Sequence, residues 1–207
     1  MKTKTRTNPR RIPQQSRSRV TVDAIVEAAA HLLTGRGWQG ATTNHIAERA
    51  GVSIGSLYKY FPNKPSILAE VARRRIRSEV SAIATTIEAH VDDPRAMLAR
   101  MVAASADRYF TNAALDTALM EQLGPIEVAR FLRDAEAEVV RMTENYLVHH
   151  ADSLRAGDAA VAGTVAFVAV HALRGVLVAA AASDPPRLRS PSFRQELVRM
   201  LERCLFR

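Results

Sequence analysis

Apolar residues recur at helical spacing along most of this 207-residue chain. Val22, Ile25, Val26, Ala29, Leu32 and Leu33 follow one another at steps that put them on one face of an α-helix. The pattern predicts a first helix from Val20 that ends near Gly35 and Gly37. Thr42 and Thr43 offer oxygens to cap a second helix carrying Ile46, Ala47 and Ala50 inward, and Gly51 suits the left-handed conformation that closes it. Ser53 caps a third helix of only about two turns, which Pro62 and Asn63 end because the residue before a proline is pushed out of helical geometry.

From Lys64 to His90 a long amphipathic stripe follows, formed by Leu68, Val71, Ile76, Val80, Ile83 and Ile87. Asp92, Asp93 and Pro94 break it, with the acids placed to favour the start of the next helix. Further helical patterns cover roughly 95–110, 112–123, 125–150, 158–182 and 191–206, divided by Gly124-Pro125, Gly157-Asp158 and Asp184-Pro185-Pro186. No stretch alternates apolar and polar residues between turn dipeptides. The predicted fold class is all-α with about nine helices. It divides into an arm at 1–19, a three-helix unit at 20–64 and a larger helical domain at 65–207.

Composition narrows the picture. An apolar share of 47% with 24% charge excludes a wholly disordered chain. A single cysteine, Cys204, cannot form an intrachain disulfide and fits a reducing compartment. No apolar run follows the basic N-terminus to make a secretory signal, so a cytoplasmic location is expected. Ala159 to Ala182 is about long enough to cross a bilayer. It contains His171 and Arg174 and is largely alanine, so the sequence favours a buried helix and no membrane partner.

The net charge of +8 is concentrated at one end. Lys2, Lys4, Arg6, Arg10, Arg11, Arg17 and Arg19 fall in the first 22 residues with no acid among them, so the remaining 22 basic residues nearly balance 21 acidic ones. Such an arm, low in apolar residues and carrying Pro9 and Pro13, is expected to be disordered alone and attracted to polyanions, the alternative being a solubilising tail.

The chemistry concentrates between Thr42 and Lys64. Two short helices joined at a glycine make the helix-turn-helix arrangement, which lays its second helix in the major groove of DNA. Ile46, Ala47, Ala50, Val52 and Leu57 can share one small core, leaving Ile54, Gly55, Ser56, Tyr58 and Lys59 exposed, with Tyr60 near the edge; packing against the following long helix is expected to explain much of Tyr60 and all of Phe61. A tyrosine hydroxyl can reach a phosphate oxygen, and lysine acts as a mobile point charge. Gly55 and Ser56 let the backbone approach the groove floor. Lys64 begins the fourth helix and Thr43 stands at the equivalent place on the second; with the Ser53 cap they form a set of phosphate clamps.

These residues resemble the tetracycline-repressor (TetR) family of bacterial transcription regulators. The resemblance runs from 20 to about 68, through IVEAAAHLL and then GWQGATTNHIAERAGVSIGSLYKYFPNK. It implies an all-α homodimer whose N-terminal helices bind a palindromic double-stranded DNA operator. Thr43, Ser56, Tyr58, Lys59, Tyr60 and Lys64 then fall where the family contacts DNA, with Asn44, Ile54 and Gly55 facing the bases. Lys59-Tyr60 replaces the family's frequent Trp-His pair, and Ile54 stands where it often has a polar residue. The arm is expected to enter the adjacent minor groove.

The resemblance also implies a small-molecule effector, of unread identity, held among helices 64–182. Met97, Met101, Tyr109, Phe110, Met120, Phe131, Met142, Tyr146 and Phe167 suit an apolar pocket and equally suit plain core. No pair of His or Cys recurs at helical zinc spacing, and no nucleophile elbow, phosphate loop or dinucleotide fingerprint is present. No cofactor, metal or catalytic residue is therefore expected. Ala159 to Ala182 is apolar on nearly every side, and Phe193, Leu197, Met200, Leu201 and Leu205 give the last helix its own stripe. The predicted homodimer pairs helices 158–182 and 191–206 into a four-helix bundle. The alternatives are a non-specific architectural DNA binder held by the arm and a helical small-molecule carrier.

Overall fold

A computed structural model of the protein describes residues 16–90, 92–151 and 161–206. The protein is all-α. Its helices are α1 (Ser16–Gly40), α2 (Thr43–Arg49), α3 (Ile54–Tyr60), α4 (Lys64–Ala89), α5 (Pro94–Leu123), α6 (Pro125–His149), α7 (Ala162–Ser183) and α8 (Pro191–Leu205), with a 3₁₀ turn at Pro185–Arg189. Met1 to Gln15, most of the basic arm, lie outside the described residues, as do 158–160 at the predicted start of the seventh helix.

The boundaries of α1 and α5 differ from the sequence expectation. α1 begins at Ser16 rather than Val20, since no glycine or proline lies between Ser16 and the buried face that starts at Val22. It bends at Gly37, which takes φ 64°. α5 runs unbroken from Pro94 to Leu123 where two helices were expected, because Asn112 does not interrupt it: its side-chain amide donates to the Arg108 carbonyl one turn back, at 2.9 Å. This fusion accounts for eight α-helices among the described residues in place of about nine.

The chain forms two compact units. The first comprises residues up to Ile76 together with Ala114–Leu132, and so extends past the 64/65 division expected from sequence. Its core joins Ile25, Ala29 and Leu33 of α1, Ile46 of α2, Leu57 and Phe61, Ile67, Leu68 and Val71 of α4, and Leu119 of α5. Glu70 pairs with Arg73 at 2.8 Å and Arg74 at 3.1 Å, and Arg74 reaches Asp23 of α1 at 2.6 Å. Arg75 pairs with Asp116 at 3.2 Å, tying α4 to the α5 segment within this unit.

The second unit holds Arg77–Ala113 and Arg133–Arg207. Leu98, Val102 and Ala106 of α5 pack with Leu147, with Ala166, Leu177 and Ala180 of α7, and with Leu197, Leu201 and Leu205 of α8. Arg174, inside the apolar α7, pairs with Glu136 of α6 at 3.0 Å. Among the described residues, 17% of the most apolar stretch of α7 is buried, so the cover expected for an all-apolar helix is incomplete there. One stripe of α7 meets the core, while Phe167 and Val168 are more than half exposed and Val178 is also exposed. By length and composition α7 would be able to span a membrane.

Candidate nucleic-acid interface

α2 is started and stopped by its own sequence. The Thr42 hydroxyl accepts from the His45 N–H at 3.2 Å, satisfying one of the helix's orphan donors. At the other end Gly51 takes φ 66°; its N–H donates to the Glu48 carbonyl, and the Val52 N–H donates to that of Ala47. These two bonds form a Schellman closure. It turns the chain directly into Ser53, whose hydroxyl accepts from the Ser56 N–H at 3.1 Å and opens α3.

α3 is anchored by one side. Leu57 and Phe61 are fully buried, and the Phe61 N–H closes the helix on the Leu57 carbonyl. Its opposite face carries Ile54, Gly55, Tyr58 and Lys59, all exposed. The Thr43 and Tyr58 hydroxyls lie 3.2 Å apart, linking the start of α2 to the outer face of α3. Asn44 is exposed beside Thr43, while Thr43 and Ser56 are half-buried.

Tyr60, expected near the edge and largely packed, is buried outright. It is 8% exposed and belongs to the core of the first unit, with the Lys59 ammonium 5.8 Å from its ring centroid. Its position, three residues after Leu57 and beside Phe61, carries it onto the buried side.

A capping arrangement missing from the sequence analysis opens α4. The Asn63 side-chain oxygen accepts from the Ser66 N–H at 2.9 Å, and the Ser66 hydroxyl donates to the Asn63 carbonyl at 2.6 Å. The signal was the Asn-x-x-Ser spacing around Pro65. Lys64, the first residue of α4, is half-buried, and this burial lowers its ammonium below the usual lysine range. The hydroxyls of Thr43 and Tyr58 and the ammonium groups of Lys59 and Lys64 are of the kind that bind phosphate oxygens, and Ile54 and Gly55 are exposed on the outer face of α3.

The residues expected to line an effector pocket are divided between the two units. Phe131 packs in the first, 5.1 Å below the Arg73 guanidinium, and Met120 is exposed there. In the second, Met101 and Met142 are half-buried. Tyr109 and Phe110 pack against the core, with Arg189 lying 4.6 Å over the Phe110 ring. Tyr146 is buried and its hydroxyl donates to the His90 carbonyl at 3.0 Å. Burial, then Asp93 and Asp92, push that phenol up to about 12. Phe167 is exposed and stacked on His171, with ring centroids 4.1 Å apart.

Residues 25–71 match the family described as bacterial regulatory proteins, tetR family, and residues 93–205 match the tetracyclin repressor-like C-terminal domain. The second match alone covers more than half of the chain, which belongs to the tetR family of bacterial regulatory proteins. This is a family of regulators rather than of enzymes. The HTH-type transcriptional regulator BetI of Paraburkholderia phytofirmans strain PsJN is 32% identical over 83 residues. That alignment spans 40% of this chain and 43% of BetI, so the chain matches less than half the length of this relative.

Solved structures share the fold over nearly the whole chain. A Mesorhizobium loti MAFF303099 protein assigned to the TetR family aligns with TM-score 0.76 at 14% identity, covering 93% of this chain and 100% of its own. SmeT, the repressor of the Stenotrophomonas maltophilia multidrug efflux pump SmeDEF, aligns with TM-score 0.59 at 20% identity, covering 92% of each.

Proposed function

We propose that the protein is a homodimeric transcriptional repressor that binds a palindromic operator through α2 and α3 and releases it when a small molecule occupies the second unit. One observation carries this reading: α3 is anchored by the buried Leu57 and Phe61 while Ile54, Tyr58 and Lys59 face outward. Thr43, Asn44, Ser53, Ile54, Gly55, Ser56, Tyr58, Lys59 and Lys64 are assigned to DNA. Tyr60 supports them from below. Membership of a regulator family supports the same assignment and a cytoplasmic site of action.

Dimerisation is assigned to α7 and α8. The outer stripe of α7 runs through Val168, Gly175, Val178, Ala179 and Ala182, flanked by Phe167, and Met200 of α8 is exposed as well. Small residues allow close backbone approach, and an isologous contact would match a two-fold operator. The effector must bind the DNA-released arrangement more tightly than the DNA-bound one, or no release follows. Gel mobility shift with the DNA upstream of the protein's own gene tests the reading. A retarded band that survives excess non-specific competitor is expected; binding that the competitor abolishes would reduce the protein to a non-specific binder.

A further inference from the structure

The outer face of α3 combines one apolar residue with open space. Ile54 and Tyr58 stand four residues apart, hence on one face, and are 40% and 41% exposed. Between them Gly55 adds no side chain, and a Cβ placed there would meet nothing nearer than the Ser53 hydroxyl at 3.9 Å. The Tyr58 hydroxyl is already engaged with Thr43. The Ile54 side chain has no atom able to donate or accept a hydrogen bond, although it occupies a face otherwise equipped for a polyanion.

The chemistry of the major groove narrows what Ile54 can meet. Base edges there present donors and acceptors, and an isoleucine pressed against them would strip their water without replacing it. The exception is the 5-methyl group of thymine, the only methyl among the four bases and the largest apolar group on a base edge in that groove.

We propose that Ile54 selects sequence by seating on the 5-methyl of a thymine in each operator half-site. This rests on α3 being the recognition helix. It assigns an A·T pair to that position, read by apolar contact rather than by hydrogen bonding.

The test starts from DNA selected by the protein out of a random pool. Each thymine of the selected operator is then replaced by deoxyuridine, which keeps every hydrogen-bonding group and lacks only the methyl. Fluorescence anisotropy is expected to find one thymine per half-site where uracil weakens binding about fourfold, and about sixteenfold with both half-sites changed, the effect of a buried methyl-sized group. Ile54→Ala is expected to bind the thymine and uracil operators equally. Uracil tolerated at every position, or Ile54→Ala keeping the full preference for thymine, would overturn the proposal. If the protein binds its selected operator specifically but ignores the methyl, only this contact falls; if it enriches no sequence, the recognition-helix reading falls with it.

Discussion

The hydroxyls of Thr43 and Tyr58 meet 3.2 Å apart, one at the start of α2 and the other on the outer face of α3. Fifteen residues separate them in sequence, and the Gly51 closure is what brings them together. The pair presents two hydroxyls at one point of the surface, each with lone pairs and one proton to rearrange around an incoming phosphate oxygen.

Because that pair lies in solvent, Tyr58→Phe should change stability by no more than about 0.5 kcal/mol. Operator affinity should nevertheless fall about three- to tenfold, with the salt dependence unchanged because no charge is lost. Lys59→Ala should instead reduce the slope of log affinity against log salt by about one unit per protomer. Anisotropy titrations over a salt series, with thermal melts as the stability control, separate the two effects.

Two glycines nearby should respond oppositely to alanine. Gly51 takes φ 66° and has no neighbour within 4 Å, so Gly51→Ala costs roughly 1 kcal/mol for backbone conformation alone and lowers the melting temperature. Gly55→Ala meets no clash in the protein and should raise stability by about 0.5 kcal/mol, as alanine does within a helix. It should still weaken operator binding, since the new methyl projects from the DNA-facing surface. Melts and binding isotherms on the same preparations check both.

The uncovered face of α7 predicts the consequence of charging it. Phe167→Glu and Val168→Glu alter residues that are 55% and 56% exposed in the single chain, so each protomer should keep its helical content. Burying an unpaired carboxylate on both sides of a two-fold interface should shift the protein from dimer to monomer in sedimentation velocity. Operator binding should weaken with it, through loss of the second half-site.

Tyr146 predicts an alkaline dependence in the second unit. Its folded phenol is raised to about 12, so the folded state favours the protonated form. The resulting stability is fully present below the ordinary tyrosine range near pH 10 and is lost as pH rises from there through about 12. In an absorbance titration, Tyr146→Phe should remove one phenol ionisation near pH 12. That variant should also lose about 1 kcal/mol at neutral pH with the hydrogen bond to His90.

Local punctuation made the DNA-facing half legible in the sequence. Thr42, Gly51, Ser53 and Pro62 each specify a backbone event, and the structure starts or stops a helix at each of them. Tyr60 and Phe61 stand three and four residues after Leu57, so both fall on its buried side, which carries Tyr60 deeper than the edge position expected of it. In α5 the break near Asn112 was illusory, since a polar residue that bonds its own helix leaves the helix intact. α7 resisted a different way: when every face is apolar, periodicity cannot say which face meets the core, and only the packing of Ala166, Leu177 and Ala180 decides it. The partner of Arg174 was equally unreadable, because Glu136 lies on another helix.

Selection of bound DNA from a random pool by the purified protein at physiological salt tests the central claim most directly. The account predicts enrichment of one palindromic sequence, whose binding is lost when the outer face of α3 is changed at Tyr58 and Lys59. Recovery of unrelated sequences, or a selected operator bound equally well by the double variant Tyr58→Ala/Lys59→Ala, would contradict it.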